Sequence, residues 1–191
     1  LLALCLILSL LPAAALAAEG DTGTSGEPQA VAQIGEETYT DFAAALNAAT
    51  NGNVTIKLLA DVNTATLLCN NITYDLNGKI LTYSSGNAVA PTANQTLKFI
   101  DSSVSGATRG GTLNLSGVTG TNAALNPKTG GTVTAENINV SCNGSAFFPA
   151  GDAAAVNVTN CDVTSAVYCV ATNAGTNANY NVVITLKAST F

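Results

Sequence analysis

The 191-residue chain contains no histidine, no methionine and no tryptophan. Without histidine, the commonest metal ligand and the one side chain poised near neutral pH are missing. Zinc binding and His-assisted nucleophilic catalysis therefore lack their usual partner. Charge is scarce too: only 9% of residues are Asp, Glu, Lys or Arg, and the net charge is −6. The six bases (Lys57, Lys79, Lys98, Arg109, Lys128 and Lys187) stand singly. Such a chain has no electrostatic footprint for nucleic acid or for an anionic membrane surface.

What is abundant is small and neutral. Twenty-one residues are Asn, with many Thr, Ser and Gly beside them. This composition suits regular β-structure with stacked turns rather than a helical bundle. Residues 1–18 open with the apolar run LLALCLILSLLPAAALA, and Ala15-Leu16-Ala17 has the small-x-small form of an export cleavage site. They are expected to be a signal peptide that lacks its basic n-region, and the mature chain is expected to carry no membrane span. Residues 19–30, EGDTGTSGEPQA, read as a flexible linker. A cap with one helix is expected over 31–53, and repeated strands over 54–191.

The repeat is visible in two segments. TVTAENINVS (132–141) and AVNVTNCDVT (155–164) align at an offset of 23. Val133 falls on Val156, Asn137 on Asn160, Ile138 on Cys161 and Val140 on Val163. TLKFIDSSVS (96–105) fits the same template through Leu97, Phe99, Asp101 and Val104, and NVVITLKAST (181–190) is a looser copy. NITYDLNGKILT (71–82) reads as a further strand–turn–strand unit. A period in this range belongs to solenoids, and the alternating apolar residues give each unit an inner and an outer face. Asn recurring at one position suits a ladder whose amides bond one another at the strand spacing of about 4.8 Å. The fold expected is all-β: a right-handed parallel β-helix of about six rungs with an N-terminal capping α-helix. The alternative is an antiparallel β-sandwich, in which Asn77-Gly78 makes a tight hairpin turn.

The helix has a physical reason. The first rung of a stack exposes apolar cross-section and unpaired strand groups, which invite aggregation unless covered. Phe42, Ala45, Leu46 and Ala49 share one helical face. Thr40 is the expected N-cap, and Gly52 the expected left-handed stop. Burying Phe42 and Leu46 contributes about 1.5–3 kcal/mol each. At the other end the strand pattern runs to Phe191, and a fragment of a longer protein is expected.

The stretch Ile34-Gly35…Tyr39…Phe42-Ala43…Val54-Thr55-Ile56…Leu58-Leu59-Ala60-Asp61-Val62, followed by Asp75-Leu76-Asn77-Gly78-Lys79, resembles the opening of large surface proteins from Gram-positive gut bacteria. That resemblance covers about residues 31–82. It implies a pectate-lyase-like right-handed β-helix within adhesin-like, repeat-rich proteins.

Chemistry-bearing residues are few. Sugar hydrolysis needs paired carboxylates, and a lyase needs calcium carboxylates with a cationic partner. Asp75 and Asp101, 26 apart, are the candidates for stacking on successive rungs as a catalytic or calcium site. The competing reading is a turn carboxylate that takes backbone N–H bonds. Arg109, flanked by glycines that read as a turn, reads as a solvated loop residue. Asn137, Asn160 and Cys161 read as structural, with Cys161 an inward apolar residue. Cys69, Cys142, Cys161 and Cys169 match no zinc spacing and are read as free, buried thiols. Tyr74, Tyr83, Tyr168 and Tyr180 are candidates for stacking on sugars or for packing in the core. No cofactor is implied. The expected function is an exported, extracellular or wall-associated module for adhesion or display, with carbohydrate or a host surface protein as partner and no catalysis in this segment. The alternative is the N-terminal part of a polysaccharide lyase or glycoside hydrolase whose active site lies beyond residue 191.

Overall fold

The computed structural model describes residues 28–172 and 180–191. The expected signal peptide and most of the linker lie outside the described residues. The chain begins with β1 (Ala32–Ile34), β2 (Glu37–Tyr39) and the helix α1 (Phe42–Ala48). It continues through β3 (Val54–Leu58), β4 (Val62–Thr64), β5 (Ile72–Asp75), β6 (Ile80–Tyr83), β7 (Thr96–Ile100) and β8 (Thr112–Leu125). The last strands are β9 (Thr132–Glu136), β10 (Asn139–Phe147), β11 (Ala155–Thr159), β12 (Asp162–Ser165) and β13 (Val183–Lys187).

The strands fall into two sheets that the chain visits in alternation. One has the order β13-β11-β9-β7-β5-β3-β1-β2 and the other β12-β10-β8-β6-β4. From β3 to β13 each strand pairs in parallel with the one two places further along the chain. Each pass of the chain thus adds one strand to each sheet. A third, shorter parallel ladder joins Val89, Leu125, Phe147 and Val170. From β3 to β13 sequential strands do not pair with each other and every pairing among them is parallel, which overturns the antiparallel sandwich. Asn77 and Gly78 do adopt left-handed φ values of 48° and 75°. Yet β5 and β6 on either side belong to different sheets, so the pair turns a corner instead of closing a hairpin.

The core lies between the sheets in columns fixed by the parallel register. One column runs Ile72, Leu97, Val133, Val156; the next runs Ile56, Tyr74, Phe99, Ala135, Val158. All of these are essentially fully buried. Strand alternation puts every second residue inward, and parallel pairing keeps like positions in line. The offset of 23 holds between Val133 and Val156 and between Val140 and Val163. It does not hold elsewhere: Val54 pairs with Ile72, and Leu97 with Val133. Val104 falls outside the template, because β8 begins at Thr112 and it is Leu113 that pairs with Val140.

The N-terminal end is closed by two devices. The antiparallel hairpin β1–β2 pairs with β3 and covers the sheet edge. Its turn places Gly35 at φ 59°, the left-handed value that a two-residue hairpin needs. The helix α1 packs against β1, β2 and β4 and buries Phe42, Ala45 and Leu46. The Phe42 ring meets Tyr74 at 6.5 Å, and Tyr74 stacks on Phe99 at 5.5 Å. The N-cap is Asp41 rather than Thr40: its carboxylate accepts from Ala43 N. The helix closes at Ala49, so Gly52 (φ 73°) turns the chain three residues beyond the cap.

Candidate functional site

The polar residues of interest gather at the corner where the chain leaves the eight-stranded sheet. Asp101 follows β7, Asn137 follows β9 and Asn160 follows β11, each one residue past strand positions that pair in register. They therefore stack on successive passes. Asn137 and Asn160 share left-handed backbone (φ 61° and 50°), a conformation Asn tolerates better than other residues with a Cβ. Asn160 Nδ2 donates to Asn137 Oδ1 at 2.9 Å. Cys161 and Ile138, each one place further on, are both fully buried.

Asp75 does not stack on Asp101. Register pairs Asp75 with Ile100, and the place above Asp101 is taken by the buried Leu76. The two carboxylates nevertheless grip one turn, Ser102–Ser103. Asp75 Oδ1 accepts from Ser102 N at 2.9 Å and Asn77 N at 3.1 Å, and Oδ2 accepts from Ser102 Oγ. Asp101 accepts from Gly78 N at 2.7 Å, Ser103 N at 2.8 Å, Ser103 Oγ and Gly111 N. Both residues are buried, Asp101 to 2% exposure. Burial pushes the Asp101 carboxyl up; hydrogen bonds from Ser103 and from Gly111 and Gly78 outweigh it and hold the group below its ordinary 3.8.

A general acid must present a proton to a substrate, and a calcium ligand must present free lone pairs. The oxygens of Asp75 and Asp101 are turned instead to backbone and serine donors. Of the donors, Ser102, Ser103 and Gly111 were missed by sequence reading, and Gly78 was read only as a turn residue. Their signal is the Asp-x-Ser spacing at 101–103, which favours a side-chain-to-backbone turn. Among the described residues no group of three or more His, Cys, Asp or Glu side chains converges as metal ligands, and no pocket opens.

Arg109 is not a freely solvated loop residue. Its Nε lies 3.2 Å from Asp162 Oδ1 in an ion pair, and Nη2 donates to Ala188 O at 3.4 Å. The four described cysteines are free; Cys142 and Cys161 are buried, whereas Cys69 and Cys169 are half-buried. Burial pushes the Cys69, Cys142 and Cys161 thiols up, away from the nucleophilic thiolate.

The tyrosines divide. Tyr74 and Tyr83 lie in the core, where the Tyr74 hydroxyl accepts from Leu68 N at 2.8 Å. Tyr168 and Tyr180 are exposed. The outer face of the eight-stranded sheet carries a column of Thr55, Thr73, Lys98, Thr134, Asn157 and Thr185. The ammonium of Lys98 is paired to Glu136 at 3.4 Å. No helix among the described residues is long and apolar enough to cross a membrane. Comparison with family models, with characterised proteins and with solved structures finds no match to this chain.

Proposed function

We propose that the chain is an exported right-handed parallel β-helix that acts in adhesion or display, with a neutral polysaccharide as its ligand and no catalysis in this segment. The observation that carries this reading is the outward column across six parallel strands, Thr or Asn on five of them and the ion-paired Lys98 on the other. Its hydroxyls and amides repeat at about the 4.8 Å strand spacing, and a polymer of neutral polyols meets such a row without desolvating unpaired charge. Export rests on the apolar run 1–17 with its Ala15-Leu16-Ala17 site. The right-handed sense is the one that nearly all parallel crossovers take. The adhesin-like setting rests on the resemblance of residues 31–82 to the openings of bacterial surface proteins.

The test is retention of the full chain on immobilised neutral glucan, mannan and galactan, beside a collagen-coated surface. Retention on a glycan that falls in a Thr134→Glu/Asn157→Glu double variant supports the reading. Retention on collagen alone replaces the glycan with a host protein. No retention anywhere removes the adhesion reading, and release of unsaturated sugar from a polyuronate removes the non-catalytic part.

A further inference from the structure

A stack of parallel passes ordinarily couples each pass only to its neighbours. The connection from β7 to β8 departs from that rule. It leaves the third pass at Asp101 and returns there at Gly111, whose N–H donates to the Asp101 carboxylate. Between these points it descends the corner. Gly106 O and Thr108 O each accept from Asn160 Nδ2, in the fifth pass, at 3.1 Å. Arg109 then pairs with Asp162, also in the fifth pass, and reaches Ala188 O, just after β13 in the sixth. On the way back Gly110 N donates to Asn137 O at 2.8 Å, and Gly110 O accepts from Asn139 Nδ2 at 3.0 Å, both in the fourth pass.

We infer that residues 102–110 form a strap that binds the third pass to the fourth, fifth and sixth and makes them open together. Three features support a built device. Asn160 spreads one NH₂ group over two strap carbonyls and Asn137 Oδ1, so the strap and the Asn stack share a single hub. The only arginine in the chain sits at the strap's far reach, where a long planar fork can address a carboxylate and a carbonyl together. At the return, a Cβ on Gly110 would lie 2.2 Å from the Asp101 carboxylate carbon, so the strap's root closes only around glycine. The strap contacts passes that are not adjacent to its own, which turns a row of nearest-neighbour units into one cooperative block.

The test is amide exchange on the full chain, comparing wild type with Arg109→Ala, Arg109→Lys and Asn160→Asp. The reporters are the amides of residues 183–186 in β13, on a pass other than those of Arg109 and Asn160. Arg109→Ala and Asn160→Asp are expected to speed exchange there by roughly tenfold, leaving β3 and β5 unchanged. Arg109→Lys is expected to fall between, because it keeps the charge and loses the fork. Faster exchange confined to residues 102–110 overturns the proposal. So does a uniform increase through every strand, which would mark general destabilisation rather than release of a strap.

Discussion

Asp101 is a carboxylate buried to hold turns together, and its energetics follow from that. Hydrogen bonds to a charged group contribute about 1.5–3 kcal/mol each where they replace water bonds imperfectly. Asp101→Asn keeps the size, loses the charge and turns an amide donor toward N–H donors, so a loss of about 2–4 kcal/mol is expected in urea unfolding at neutral pH. The sign of the pH dependence is fixed by the depressed folded pKa. The contribution is fully present above the ordinary carboxylate value of 3.8 and is lost as pH falls through the lower folded value. The gap between wild type and Asp101→Asn should therefore close below pH 3.8; a gap that stays constant across that range would show that the charge is not the stabilising feature. The thiols make a second prediction at this scale. Cys142 and Cys161 are buried and their pKa values are raised. Peptide mapping after a brief pulse of a thiol reagent should find both unmodified in native protein and both labelled in denaturant.

The helix α1 shows how much of an element its own residues dictate and how much its surroundings supply. The apolar spacing of Phe42, Ala45 and Leu46 was enough to read the helix and its buried face, and all three are buried. The cap was misplaced by one residue, because Thr40 and Asp41 both suit an N-cap and only the entry angle from β2 chooses between them. Phe42→Ala should cost about 3–5 kcal/mol, since it empties a ring site against Tyr74 and also uncovers the first pass. Calorimetry checks the cost, and a rise in dye binding to exposed apolar surface checks the uncovering. A loss below about 1 kcal/mol would mean that β1–β2 closes the end alone. That hairpin was not legible: its strands are three residues long and carry polar residues, too short for alternation to show. Nor was the strap. The offset of 23 could be read where two passes share connection lengths, as at Asn137 and Asn160. An insertion between Asp101 and Thr112 broke the template and hid the loop that reaches both. Asp75 and Asp101 looked stackable by their separation alone, but a shift of one place in register sends one to Ile100 and sets Leu76 above the other.

Across the whole molecule the first and last described passes differ. At the start, β1–β2 and α1 cover the sheet edge and the apolar cross-section. At β13 the inner columns continue without cover among the described residues. Ile184 pairs with Val156 and Leu186 with Val158, both of which are fully buried, yet Ile184 is 37% exposed and Leu186 48%. An outer strand of five residues with apolar side chains and unpaired backbone groups is a template for pairing with another chain. The charges that would blunt it are sparse: only Lys187 lies within β13. For a polypeptide of residues 1–191, concentration-dependent association is therefore expected, and Leu186→Lys should weaken it by roughly tenfold or more in sedimentation velocity. The same substitution should leave exchange in β3 and β5 unchanged, because those strands lie four or more places from the edge and outside the strapped passes. If Leu186→Lys leaves association as it was, the contact lies on another surface. The outward Thr/Asn column is then the next face to substitute, and the polysaccharide binding proposed for it becomes separable from self-association by one pair of variants.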